Sequence, residues 1–261
     1  MAASSRAPHQ PGDSVGRAAG RSRVLVVQHQ DSCPPALFGG WLGEAGPALD
    51  VRRPDRGESL PADLDGHAGL LVLGGSMGAH DDAAYPWLTA TKDLLRLAVT
   101  TQVPTLGICL GHQLAAVALG GRSEPNPDGQ TAGVRSIGWS AAVRSDPLFA
   151  PLAWIPDAVV PHWNSDILTR IPSGSTELAT TADGAPQVIR LGERAWGVQF
   201  HPEADHAVVT VWADQDRDDA VRRGVDVDAA LQQIKEAARR LNDTGRQIAV
   251  AFGRILRTVD D

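Results

Sequence analysis

The sequence predicts an α/β fold: an open, mostly parallel, doubly wound sheet with a smaller antiparallel section and C-terminal helices. Three apolar runs, RVLVVQ at 23–28, GLLVL at 69–73 and PTLGI at 104–108, have the continuous hydrophobicity of strands buried on both faces. Segments with helical periodicity lie between them, and this alternation is typical of a parallel sheet. The chain has 261 residues, 43% of them hydrophobic, which is enough for one sizeable core.

The chain divides into a tail, a folded domain and a helical extension. Residues 1–22 are rich in Ala, Ser, Gly, Pro and Arg and cannot bury a face, so we expect them to be disordered. We place the domain at 23–205 and the extension at 206–261. Besides the three runs, we expect the first half of the domain to contain a helix at 34–45, a strand at 49–53 and a helix from about 88 to 101.

A glycine-rich turn, GGSMG at 74–78, directly follows the strand at 69–73. Such a turn can present backbone N–H groups to a negative charge, or it can be a tight turn without a ligand. No Gly-Lys-Ser/Thr follows it, so it is not a P-loop, and the Rossmann Gly-x-Gly-x-x-Gly pattern is missing as well. The residues alone leave both interpretations of this turn open.

The strand at 104–108 leads into a turn at Cys109, which has a glycine two positions before it and another two positions after it. A helix follows at 113–119. This is the thiol version of the Gly-x-Ser-x-Gly elbow, which places a nucleophile at the carboxyl end of a strand. The amino end of the next helix favours the thiolate, the reactive form. A buried structural cysteine is the alternative, but the strand–turn–helix context favours a nucleophile.

The pattern changes after a Pro/Asn/Gly loop at 124–133. In a more antiparallel section, we expect short strands at 134–143, 159–161, 177–182, 187–191 and 196–200. The last of them leads to His201-Pro202-Glu203, at the kind of strand end where open α/β sheets place ligands. A thiol nucleophile needs a base, and the base needs an orienting carboxylate. Cys109, His201 and Glu203 are therefore the candidate catalytic residues.

Three motifs carry a resemblance to a known family: GGS at 74–76, GICLGHQ at 107–113 and HPE at 201–203. In this order and at this spacing they resemble the class I (triad) glutamine amidotransferases, over about Val24 to Glu203. The chain resembles in particular the stand-alone members that are similar to the amidotransferase domain of GMP synthase. The resemblance implies a flavodoxin-like sheet and a Cys-His-Glu triad made by the three candidate residues.

The resemblance also implies roles for residues around the triad. The N–H groups of Gly75 and Leu110 would form the oxyanion hole, and Gln113 would contact the bound glutamine. The backbone around Ser165 and Asp166 would line the glutamine pocket, although Asp166 can equally be a turn residue. Relatives often carry His-x-His-x-Asp or Ser-His-Gly-Asp here, whereas this chain has Asn164 at the position of the second histidine.

Charge and cysteine content exclude several classes of protein. The formal net charge is −7 and there is no basic stripe, so we expect no nucleic-acid partner. Cys33 and Cys109 are the two cysteines, and their spacing suits neither a metal site nor a disulfide framework. No signal peptide or membrane-spanning run is visible. We therefore expect a cytoplasmic enzyme without a metal ion or cofactor.

The C-terminal extension has two predicted helices, at 207–214 and from about 227 to 257. In the second, apolar residues recur at spacings of three and four: Leu231, Ile234, Ala238, Leu241, Gly245, Ile248, Phe252 and Ile255. This stripe suits a homodimer formed through a coiled coil. It equally suits a long amphipathic helix packed on its own domain, since Ala238 and Gly245 would weaken a coiled-coil seam.

Three functions are compatible with these residues. The first is a glutamine amidotransferase that hydrolyses the amide of L-glutamine and delivers ammonia to an acceptor on a separate synthetase subunit. The second is a stand-alone γ-glutamyl hydrolase or peptidase, which would use the same triad on the γ-glutamyl amide of a larger amine. The third is a non-catalytic regulatory module on the same fold, which the intact set of Cys109, His201 and Glu203 disfavours. Room at the mouth of the pocket would distinguish the first two.

Overall fold

The computed structural model describes residues 23–44, 46–155 and 158–258, so the predicted disordered tail at 1–22 lies outside the described residues. In these ranges the strands are β1 (Arg23–Val27), β2 (Ala48–Arg52), β3 (His67–Val72), β4 (Thr105–Ile108), β5 (Arg122–Pro125), β6 (Thr131–Ser136), β7 (Gly138–Trp139), β8 (Val159–Asn164), β9 (Asp166–Arg170), β10 (Thr176–Thr180), β11 (Pro186–Arg190) and β12 (Ala195–Val198). The helices are α1 (Ala36–Glu44), α2 (Trp87–Thr100), α3 (Leu110–Ala118), α4 (His206–Arg222) and α5 (Val227–Arg257).

The main sheet has eight strands in the order β2-β1-β3-β4-β12-β11-β10-β7. The first five are mutually parallel, and β11, β10 and β7 continue the sheet with antiparallel pairing. Two antiparallel ribbons, β5–β9 and β6–β8, lie beside it. The predicted fold class, a mostly parallel open sheet with a smaller antiparallel section, is confirmed.

Helices cover both faces of the parallel strands, as a doubly wound sheet requires. Alternate strand residues point to opposite faces. Val24 and Leu71 pack with Phe38 of α1 and Phe252 of α5 in one core. Their neighbours Leu25 and Leu70 belong to a second core, which includes side chains of α2 and α3. This double burial explains why the strand sequences are continuously apolar.

The prediction of a single strand at 134–143 is wrong. β6 pairs with β8 in a ribbon, β7 pairs with β10 in the main sheet, and Ala141–Ser145 forms a 3₁₀ helix. The chain changes partner at Gly138, where a Cβ would lie 2.3 Å from the carbonyl oxygen of Thr180. The loop expected at 124–133 is also too long, because β5 and β6 occupy its ends. Sequence periodicity indicated extended chain here but not which strand it would pair with.

Most of the apolar stripe of the last helix is buried within the chain itself. Ile234, Leu241, Ile248 and Phe252 of α5 are each no more than 5% exposed. α5 packs on α1, α4, β6 and β8. The second alternative, an amphipathic helix packed on its own domain, therefore describes the structure, and this stripe is not available as a coiled-coil seam. In the described ranges no helix has the length and apolar character needed to cross a membrane.

Candidate active site

Cys109 occupies the sharp turn between β4 and α3. Its backbone has φ 51° and ψ −106°, a conformation that residues other than glycine rarely adopt. Such backbone strain costs about 1–3 kcal/mol and persists only where the surrounding structure enforces it. The residue is 7% exposed and lines a cavity at the carboxyl ends of the parallel strands. The elbow predicted from the sequence is present.

The two glycines around Cys109 are required by close backbone approaches. A Cβ on Gly107 would lie 2.5 Å from the carbonyl oxygen of Gly111. A Cβ on Gly111 would lie 2.1 Å from the carbonyl oxygen of Val72 on β3. Both distances are far below a van der Waals contact, so any larger residue would push the elbow away from the sheet.

The structure brings Cys109, His201 and Glu203 together. β12 pairs in parallel with β4, with Val198 beside Ile108, so the segment after β12 emerges next to the elbow. His201 donates from Nδ1 to Oε1 of Glu203 over 2.7 Å, and these residues are only 3% and 1% exposed. Gly74 lies against both of these side chains: a Cβ there would be 3.1 Å from Cε1 of His201 and 3.6 Å from Cβ of Cys109.

The environment of His201 favours its protonated form. Burial by itself lowers the pKa of His201, but the negative charges of Glu203 and of the Cys109 sulfur outweigh it and raise the pKa to about 10. An imidazolium beside the sulfur is the partner that a thiolate needs. The Nε2 atom of His201 has no hydrogen-bond partner among the described residues, and His201 lines the cavity.

This raised pKa predicts how stability depends on pH. The folded-state pKa of about 10 exceeds the ordinary 6.5, so the interaction is fully stabilising below pH 6.5 and is lost as pH rises through about 10. Glu203→Gln removes the charge that raises it. We expect the difference in free energy of unfolding between wild type and Glu203→Gln to be largest near pH 6 and to shrink by pH 10, measured by urea denaturation. A difference that grows with pH would contradict the assignment.

The N–H groups of Gly75 and Leu110 lie near the elbow and have no acceptor within the described part of the chain. Leu110 is the first residue of α3, where a helix leaves its N–H unpaired, and Gly75 donates no hydrogen bond there either. A Cβ on Gly75 would lie 2.9 Å from Cδ2 of Leu110, so the turn at 74–78 and the elbow are in contact. Gly75 also lines the cavity. The geometry is compatible with an oxyanion hole.

Gln113 lines the cavity, but its side chain is held by the protein. Its Nε2 donates to the carbonyl oxygen of Asp166 over 3.1 Å and to Oε1 of Gln199 over 3.2 Å. Gln199 in turn donates from Nε2 to the sulfur of Cys109 over 3.6 Å and is 2% exposed. Gln199 was not predicted as a site residue. A polar residue directly after the apolar run of β12 and two positions before His201 was the available signal.

The opposite wall of the cavity contains the predicted Ser165 and Asp166. Asn164 donates from Nδ2 to the carbonyl oxygen of Asp166 over 3.1 Å. This oxygen therefore accepts two side-chain hydrogen bonds, one from Asn164 and one from Gln113. Arg223, just after α4, donates to Oγ of Ser165. Burial raises the pKa of Asp166, Arg223 opposes this, and Asp81 adds to it.

Helix α4 forms one side of the cavity, and its lining residues were not predicted from the sequence. The ring of Trp212 lies 4.4 Å from that of His201, centroid to centroid. The cavity has a volume of about 630 Å³. The described residues include no cluster of three or more His, Cys, Asp or Glu that could hold a metal ion.

Comparisons with known proteins agree with this geometry. The family model "Glutamine amidotransferase class-I" matches residues 42–209. The chain is 29% identical over 188 residues to the glutamine amidotransferase-like protein YfeJ of Salmonella typhimurium, covering 69% of this chain and 75% of that protein. It is 35% identical over 147 residues to one of the subunits of the glutamine-hydrolysing GMP synthase of Halobacterium salinarum, covering 56% of this chain and 71% of that protein.

A solved structure supports the same assignment. The structure of a glutamine amido transferase from Methylobacillus flagellatus superposes with a TM-score of 0.78 at 25% identity, covering 91% of this chain and 95% of that one. The family match extends over more than half of the chain and contains the glycine-rich turn, the elbow and the His-Pro-Glu segment. The chain belongs to the class-I glutamine amidotransferase family of glutamine-hydrolysing enzymes.

Proposed function

We propose that Cys109, His201 and Glu203 hydrolyse the side-chain amide of L-glutamine through a γ-glutamyl thioester. The observation that carries this proposal is the buried His201 ring, which lies between the Glu203 carboxylate and the Cys109 elbow and has a raised pKa. This arrangement holds a protonated imidazole beside the sulfur that would act as the nucleophile. A non-catalytic regulatory module would not need Cys109, His201 and Glu203 together, so that alternative has the least support.

In the first half of the reaction, the Cys109 thiolate attacks the carboxamide carbon and a C–S bond forms. The N–H groups of Gly75 and Leu110 stabilise the oxyanion, and one such donor contributes about 3 kcal/mol. The C–N bond then breaks, and His201 gives its proton to the departing nitrogen. Ammonia leaves, and the γ-glutamyl group remains on the sulfur.

In the second half, water attacks the thioester carbon while the now neutral His201 accepts its proton. The C–S bond breaks, glutamate leaves, and the thiolate–imidazolium pair is restored. Glu203 orients the imidazole and stabilises its charge throughout. Gln113 and the backbone at Ser165 and Asp166 hold the glutamyl part of the substrate.

We further propose that the ammonia is used by an acceptor site on a separate synthetase subunit. The relative from Halobacterium salinarum is named as one subunit of a GMP synthase, and this chain covers 71% of it. That relationship supports a partner polypeptide as the ammonia acceptor.

An affinity-labelling experiment tests the proposed nucleophile directly. An electrophilic analogue of glutamine should label Cys109 alone, as located by peptide mapping, and excess L-glutamine should protect it. Wild-type protein should also release ammonia and glutamate in equal amounts. Labelling of Cys33 instead, or labelling that glutamine does not block, would contradict the proposal.

We expect Gln199→Leu to lower kcat for glutamine hydrolysis about 10- to 100-fold with a smaller change in KM. The reason is that Gln199 donates a hydrogen bond to the sulfur, and a hydrogen bond to a charged group contributes about 1.5–3 kcal/mol. Steady-state kinetics measures the effect. The pH profile of Cys109 alkylation should shift upwards in the variant, a change that a loss of packing alone would not produce.

A further inference from the structure

The cavity beside Cys109 carries an excess of negative charge. Among the described residues, four carboxylates line it, those of Asp81, Asp166, Asp216 and Asp219, against the guanidinium of Arg223. The positive charge of His201 is offset by Glu203 and the Cys109 sulfur. Asp216 and Asp219 are on α4, whereas Asp81 follows the glycine-rich turn and Asp166 begins β9. Three separate segments of the chain therefore direct negative charge into one cavity.

Three of these carboxylates form no ion pair within the described part of the chain. Asp219 pairs with Arg223, whose positive charge also acts on Asp166. Asp81 accepts a hydrogen bond from the N–H of Gly78, over 2.7 Å. Asp216 accepts from Nε2 of Gln130, over 3.5 Å. Asp81 and Asp216 therefore leave negative charge that a ligand can balance.

A second observation shows that this cavity is built for a ligand. The Nε2 atom of His201 is buried and without a hydrogen-bond partner among the described residues, in a side chain that is only 3% exposed and lines the cavity. The volume of about 630 Å³ lies within the range of roughly 300–1,000 Å³ that is typical of small-molecule pockets. Glutamine brings one ammonium and one carboxylate and would leave the excess charge unbalanced.

We propose that this site selects γ-glutamyl amides whose leaving amine carries a second, cationic nitrogen. The inference rests on the amide hydrolysis proposed for Cys109, His201 and Glu203, and with such a substrate the amine leaves in place of ammonia. The glutamyl part lies as glutamine does, the alkyl chain of the amine extends into the cavity, and its terminal ammonium is attracted by Asp81 and Asp216. The chemistry is unchanged: the amide C–N bond breaks, His201 protonates the departing amine, and water hydrolyses the thioester.

The test compares three γ-glutamyl amides of equal length with different terminal charge. The leaving amines are 1,4-diaminobutane (cationic), butylamine (neutral) and 4-aminobutanoic acid (anionic). We expect kcat/KM at low salt to be at least about tenfold higher for the cationic than for the neutral amide, and lowest for the anionic one. The double variant Asp81→Asn/Asp216→Asn should lower the cationic-to-neutral ratio at least about fivefold.

The matched control is Asp214→Asn/Asp218→Asn. It removes the same charge from exposed positions of α4 that do not line the cavity, and it should keep the ratio. Equal kcat/KM values for the cationic and neutral amides would overturn the inference. A ratio that survives the cavity variant, or that falls equally in the control, would overturn it as well.

Binding separates this inference from the proposed function. If wild-type protein hydrolyses neither glutamine nor any amide, the proposed function fails. Calorimetry on Cys109→Ala still decides the selectivity: binding of the cationic amide at least about tenfold tighter than the neutral one supports it, and equal binding overturns it.

Discussion

Replacing Cys109 with alanine should lower glutamine hydrolysis at least about 10⁴-fold, to the background rate. The residue supplies the atom that attacks the amide, and neither His201 nor the oxyanion donors can replace a covalent step. Losses of this size are typical when the nucleophile of a triad is removed. Ammonia release under saturating glutamine measures the effect, and circular dichroism checks that the fold is retained.

Cys33→Ala is the matched control, because Cys33 is also a buried thiol that lines the same cavity. Burial and the nearby negative charges of Glu203 and Cys109 raise the pKa of Cys33 far above its usual value, so it stays a thiol. We expect this variant to keep most of its activity. Activity retained in Cys109→Ala and lost in Cys33→Ala would reverse the assignment of the nucleophile.

Local patterns were sufficient to predict the elbow and the parallel strands. The spacing of Gly107, Cys109 and Gly111 follows from backbone contacts that any such turn must make, and the structure shows those contacts. The strand before His201 was predicted too, but as part of the antiparallel section, whereas β12 pairs in parallel with β4 in the main sheet. These features depend on the chain within a few residues of the site.

Features that depend on distant packing were not predictable. Trp212 and Arg223 reach the cavity only because α4 crosses it, and the helix expected at 207–214 gave no sign of this and ended too early. The stripe on α5 was recognised, but a periodicity of three and four does not say which surface covers it. The same limit applies to β6, which pairs with β8 in a separate ribbon. The chain changes its pairing partner only at Gly138, and the sequence does not show this.

The second large effect concerns stability. Gly111→Ala should lower the free energy of unfolding by about 3 kcal/mol or more and remove activity with it. Its Cβ would lie 2.1 Å from a backbone oxygen of β3, and backbone in the middle of a parallel sheet cannot move as a side chain can. Urea denaturation measures the loss.

Gly40→Ala distinguishes this clash from the general effect of adding a methyl group. Gly40 lies exposed in α1, and a Cβ there would meet nothing within 4 Å. Alanine at such a helical position should stabilise the protein by up to about 1 kcal/mol. The two substitutions are chemically identical, so opposite signs would assign the loss at Gly111 to the contact between the elbow and β3. If Gly111→Ala were as stable as wild type, the elbow could not be held against β3 as closely as the structure has it.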